Sequence, residues 1–160
     1  MKHFTAVLQV LAFLLFFSML SCDPDRVYEE NVLITEHKWN RNNLLQFQVN
    51  ITDTVSSFNL YVNIRNGGDY SYRNLFLFIN TYAPTGQWVR DTVNCILANE
   101  KGKWFGSGIG DIYDIQIPYK KNVRFPYPGI YSFTFEQAMR TEELSHVYDV
   151  GLRIEKTKPK

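Results

Sequence analysis

The chain has 160 residues with 17 Lys plus Arg against 16 Asp plus Glu, and 45% of it is hydrophobic. That length accommodates one ordinary domain with a sizeable core. The near-zero charge, with no basic stripe, excludes nucleic acid as the expected partner, because phosphate binding draws on clustered Lys and Arg; Lys120, Lys121 and Arg124 read as a solvated turn.

Residues 1–21, "MKHFTAVLQVLAFLLFFSMLS", place one lysine ahead of a mostly apolar run and hold no acid. This is the layout of a secretory signal peptide. The run sits near the lower length limit for a membrane-spanning helix, and no Lys- and Arg-rich stop-transfer flank follows it. Met19-Leu20-Ser21-Cys22 resembles the bacterial lipobox, with Leu20 departing from the usual small residue. The resemblance implies that Cys22 is acylated and becomes the mature N-terminus, held in the membrane by more than one acyl chain.

Removing residues 1–21, which contain Lys2 and no acid, leaves 139 residues with 16 Lys plus Arg and 16 Asp plus Glu. With Cys22 acylated, Cys95 has no disulfide partner, and its neighbours in "VNCILA" predict a buried thiol. Residues 22–30 read as a tether of at most about 30 Å, and 31–160 as one domain.

The domain alternates apolar and polar residues almost throughout. After "VLITEH", "LQFQVNI" puts Leu45, Phe47, Val49 and Ile51 on one face, and "FNLYVNI" does the same with Phe58, Leu60, Val62 and Ile64. "NLFLFINTY", "DTVNCIL", "IYDIQIPY", "IYSFTFE" and "YDVGLRIEK" follow, separated by Gly- and Pro-containing breakers. About eight short strands predict an all-β antiparallel sandwich. Only "EQAMRTEELSH", Glu136 to His146, leaves the pattern and predicts a short helical segment, with Met139 inward and Glu136 and Arg140 one turn apart.

"LFLFI" is apolar on both faces, more than a strand with one wet face needs. A loop or the C-terminal segment is expected to cover the second face; otherwise Phe76 and Phe78 belong to a patch for a protein partner. Arg140, a planar group with five donors, is a further candidate contact.

Catalytic chemistry finds little support. His37, His146 and Cys95 are far apart in sequence, with no Cys or His pair at zinc spacing. "GSGIGD" lacks the Lys-Ser/Thr ending of a phosphate-binding loop. Ser107 has no base nearby; Asp91, Asp111 and Asp114 could in principle supply the paired carboxylates of a glycosidase, but acids near turns are common and read better as such. The expectation is therefore no enzyme, no cofactor and no metal. Trp39, Trp88 and Trp104, with ten tyrosines, leave a carbohydrate-binding module as an alternative.

The lipobox, "YRNLFLFINTYAPTGQWVRDT", "GKWFGSGIGDIYD", "PGIYSFTFEQAMR" and "DVGLRIEK", in that order, resemble the gliding-motility lipoprotein family GldH of the Bacteroidota. Asp91-Thr92, Trp104 with Gly106 and Gly108, and Glu136 to Arg140 ahead of Val150-Gly151-Leu152 carry the resemblance. It implies a lipid-anchored protein of the cell envelope, on the periplasmic side or at the outer membrane, working with envelope proteins of the gliding and associated secretion machinery and without enzymatic activity. In relatives from bacteria that do not glide, secretion or envelope assembly is the implied role. The glycines Gly106, Gly108 and Gly110 are expected to serve backbone geometry, at least one of them at positive φ, with Trp104 mostly buried.

Overall fold

A computed structural model describes residues 23–158; the expected signal peptide and Cys22 lie outside the described residues. Ten strands run in the order β1 (Arg26–Leu33), β2 (Lys38–Asn40), β3 (Leu45–Ile51), β4 (Phe58–Gly67), β5 (Asn74–Tyr82), β6 (Trp88–Ile96), β7 (Ile112–Val123), β8 (Gly129–Gln137), β9 (Glu143–Ser145) and β10 (Val147–Lys156). Two four-stranded antiparallel sheets, β1-β10-β4-β7 and β3-β8-β5-β6, face each other, and β2 pairs with β9 in a small third sheet. The antiparallel sandwich read from alternation is the fold observed.

The core lies between the sheets because the period-2 pattern turns one apolar set of each strand inward. Val62, Ile64, Leu152 and Ile154 come from the first sheet, and Phe47, Leu77, Phe133 and Phe135 from the second. Phe47 and Phe135 meet at 4.9 Å between ring centroids and Phe125 and Tyr131 at 4.8 Å, the tilted arrangements that aromatic rings favour over a face-to-face sandwich. Trp39, on three-residue β2, is fully buried and donates its indole N–H to the Asn43 carbonyl at 2.8 Å.

Two boundaries differ from the sequence reading. The expected tether, 22–30, is strand from Arg26 onward, because Glu29 and Asn31 point outward where acids and amides are tolerated while Tyr28 and Val32 pack on the core. The expected helix does not form. Its first two residues end β8, Glu143–Ser145 form β9, and the only helical turn among the described residues is a 3-10 turn at Thr35–His37. The reason is Gln137, whose side chain is fully buried. It continues the inward series Phe133, Phe135, Gln137, and its amide donates to the carbonyls of Thr141 and Glu142 and accepts from the Met139 N–H. Side-chain bonds of this kind compete with helical backbone bonds.

The antiparallel pairings put the β3–β4, β5–β6 and β7–β8 connections, the start of β1 and the end of β10 at one end of the sandwich. The β4–β5, β6–β7 and β8–β9 connections lie at the other.

Candidate functional site

On β5, Leu75, Leu77 and Ile79 are buried and Phe76 and Phe78 stand on the outer face of the second sheet. The segment after β8 covers part of that face. Ala138 donates its N–H to the Phe76 carbonyl at 2.8 Å, and the Phe76 N–H points at the Met139 sulfur at 3.3 Å. Phe76 keeps 37% of its surface exposed. Phe78 is half-buried beneath Arg90, whose guanidinium carbon stands 4.2 Å from the ring centroid. Arg90 also donates to Glu136 at 3.0 Å. An exposed cation over a ring contributes about 0.5–1 kcal/mol, and an exposed ion pair about 0.2–1 kcal/mol, enough to fix the arginine over the phenylalanine.

Phe78 and Arg140 come together. With Arg41, Glu136, Ala138 and Met139 they line a shallow recess of about 390 Å³. Arg41 shapes its rim by donating to the carbonyls of Met139 at 2.6 Å and Thr141 at 3.2 Å. Arg140 is exposed and makes no ion pair among the described residues. Glu136 pairs with Arg90 across the sheet and not with Arg140, as a helix would have arranged it. Arg41 and Arg90 were missed by the sequence reading, because each acts through a partner distant in sequence: Arg90 through the register that sets Asn80 opposite Arg90 and Phe78 opposite Glu136, and Arg41 through the Met139 and Thr141 carbonyls.

The other singled-out residues lie elsewhere. Asp91, on edge strand β6, ties the two sheets together: the Tyr119 hydroxyl donates to it at 2.5 Å and the Lys120 ammonium stands 2.7 Å away. Burial would raise the Asp91 carboxyl, but Lys120 and Tyr119 outweigh it and hold the group below its ordinary range. Burial, reinforced by Asp91, raises the Tyr119 hydroxyl. Asp114 is on the outer face of the other sheet, sharing Arg65 with Asp149, so Asp91 and Asp114 form no catalytic pair.

Trp104 is half-buried against Tyr70 and Tyr113 in the β6–β7 connection. Gly106 has φ +88° and Gly110 φ +65°. Gly108 serves close approach instead, since a Cβ there would lie 1.7 Å from the Ile112 carbonyl oxygen. Cys95 is fully buried and without a disulfide partner among the described residues, and burial pushes its thiol up to about 12. Tyr82 and Trp88 are exposed and stacked, with centroids 6.0 Å apart and planes at 26°.

Residues 26–154 match the family model described as GldH lipoprotein. The chain belongs to the GldH lipoprotein family. Among curated GldH proteins, the gliding motility lipoprotein GldH homolog of Christiangramia forsetii is 38% identical over 144 residues, covering 86% of this chain and 88% of the relative. The gliding motility lipoprotein GldH of Flavobacterium johnsoniae is 33% identical over 158 residues, covering 94% and 95%. Among solved structures, a chain from the infectious bursal disease virus Gx strain aligns at 14% identity with a TM-score of 0.36 over 82% of this chain and 32% of its own, too weak a likeness to bear on the fold or role of a GldH protein.

Proposed function

We propose that this GldH protein is an envelope lipoprotein held in its membrane through acylated Cys22 and acting as a non-catalytic component of gliding motility and the associated secretion machinery. The observation that carries the reading is the recess on the outer face of β5. There the half-buried Phe78 ring on β5 and an exposed arginine in the bend after β8, which makes no ion pair among the described residues, stand together. Interfaces favour aromatic and arginine anchors of this kind. The relatives' names, which include gliding motility, support the process in which such a partner works. Nothing in the recess resembles a nucleophile positioned by a base.

Photocrosslinking tests the proposal. A photoreactive residue at Phe76 in intact cells yields a discrete adduct with an envelope protein of the gliding or secretion machinery, and Arg140→Glu abolishes it. The same probe at Gln116, on the opposite sheet, gives none. Equal labelling from both faces, or an adduct indifferent to Arg140, sinks the reading.

The second reading, a carbohydrate-binding surface module, finds its support in the exposed Tyr82 and Trp88. Their mutual stacking leaves less free ring face than a flat platform would. Retention of the protein on envelope polysaccharide, lost in Trp88→Ala, favours it over the protein-partner reading.

A further inference from the structure

The chain is fixed to the sandwich immediately after the residue that carries the anchor. Arg153, mostly buried, donates to Asp23, to Glu29 at 2.7 Å and to Glu155 at 2.6 Å. The Lys156 N–H donates to the Asp25 carbonyl at 2.8 Å, and Lys158 pairs with the Asp25 carboxylate at 3.0 Å. Even with every residue from Cys22 to Arg26 drawn straight, the slack is about 14 Å. A lipid on Cys22 therefore brings this end of the sandwich to the bilayer surface.

What that end carries fits such a surface. A groove of about 870 Å³ opens there, lined by Asp25, Tyr61, Lys121, Arg124, Lys156 and Lys158 among others. Four cations face one carboxylate along its walls; Asp53 beside it pairs with Lys156, while Lys121 and Arg124 make no ion pair among the described residues. The cations thus exceed the carboxylates by two in a mature chain that is neutral as a whole. Val55, at the tip of the β3–β4 loop, also lines the groove and is 80% exposed. Trp88, 58% exposed, and Tyr127 stand at the same end, and both side-chain types favour the headgroup level of a bilayer.

We infer that the groove between the β3–β4 loop and the end of β10 docks on anionic lipid headgroups, with Val55 at the acyl boundary, so that the domain is held on the bilayer in one orientation. The inference rests on the acylation of Cys22 proposed above. It gives the anchor its second contact: acyl chains supply affinity for the membrane, and the cations select anionic lipid and fix the rotation of the domain. The docked end then leaves the recess, on the outer face of the second sheet from mid-β5 to beyond the end of β8, clear of the membrane.

The test uses the acylated protein purified from envelopes. A fluorophore is attached at Val55→Cys, Cys95 being buried, and the protein is incorporated into vesicles of phosphatidylcholine alone or mixed with phosphatidylglycerol. Flotation reads the anchor, and quenching by brominated acyl chains reads the depth of residue 55. The expected result is flotation with both vesicles, strong quenching only with phosphatidylglycerol, and a docked-to-free ratio lowered about five-fold for each of Lys121→Gln and Arg124→Gln, at about 1 kcal/mol per cation near an anionic surface. Flotation with weak quenching in both vesicles overturns the docking and leaves the anchor standing. Strong quenching indifferent to phosphatidylglycerol and to both substitutions overturns the headgroup recognition. Failure to float removes the acylation and the docking together.

Discussion

Gly151 of β10 lies opposite Asn31 of β1, and the Asn31 carboxamide occupies the place where a side chain at 151 would stand. A Cβ on residue 151 would be 1.8 Å from Asn31 Oδ1 and 2.6 Å from the Glu30 carbonyl oxygen. The asparagine can thus lie across the strand and meet the Asn63 amide at 3.4 Å, which in turn donates to Glu29 at 3.0 Å and accepts from Gln116 at 3.2 Å. Gly151→Ala is expected to lower unfolding free energy by about 1–3 kcal/mol, as overpacking does. Denaturant titration checks it. Asn31→Ala in the same chain recovers part of the loss, since the contact with the Glu30 backbone remains.

The three glycines of the β6–β7 connection separate by mechanism. Gly108→Ala and Gly106→Ala meet backbone, at the Ile112 and Asp114 carbonyls respectively, and Gly106 adds a positive φ. Gly110 has positive φ with open space around it. Thermal melts are expected to rank Gly106→Ala and Gly108→Ala well below wild type, and Gly110→Ala lower by about 1 kcal/mol. Equal melting points for all three would leave the close approaches without structural consequence.

Acid should act through two aspartates with opposite signs. Asp91 is held below its ordinary value of 3.8, so its stabilisation is present above that pH and is lost as pH falls through the lower folded value. Burial raises Asp149, against the pull of Arg65, so protonation between its raised folded value and 3.8 favours the fold as pH falls. In melts across the acid range, Asp91→Asn is expected to flatten the loss below about pH 4, and Asp149→Asn to remove the opposing slope above it.

Cys22→Ser is expected to abolish incorporation of a fatty-acid analogue and to release or mislocalise the protein while leaving the melting point of the domain unchanged. Among the described residues the core runs from Ile34 to Ile154, and the substitution at Cys22 alters none of these side chains. Labelling of the variant equal to wild type contradicts the assignment.

The sandwich was legible because Leu45, Phe47, Val49 and Ile51, or Phe58, Leu60, Val62 and Ile64, are buried in alternation along each strand. What stayed hidden depends on pairing across the chain. Glu29 reads as tether, and Asn31 as no more than the start of the domain, until β10 is seen beside them, with Arg153 gathering the acids and Gly151 making room for the amide. Gln137 read as the start of a helix because its inward position is polar, and only the carbonyls of Thr141 and Glu142 explain a buried amide there. Phe76, Phe78 and Arg140 were visible one by one. Arg90, which holds Phe78 and Glu136 in place, and Arg41, which lines the recess, enter through a cross-strand register and a contact spanning about a hundred residues.

The most direct measurement is made in the cell with Arg140→Glu in place of the wild-type chain, reading abundance, acylation and melting point beside gliding or, in a strain that does not glide, secretion. Arg140 is exposed and makes no ion pair among the described residues, so the fold has no need of it. The account predicts wild-type abundance, acylation and melting point with loss of gliding or secretion. Wild-type gliding and secretion in that strain, with the variant protein present and folded, would contradict it.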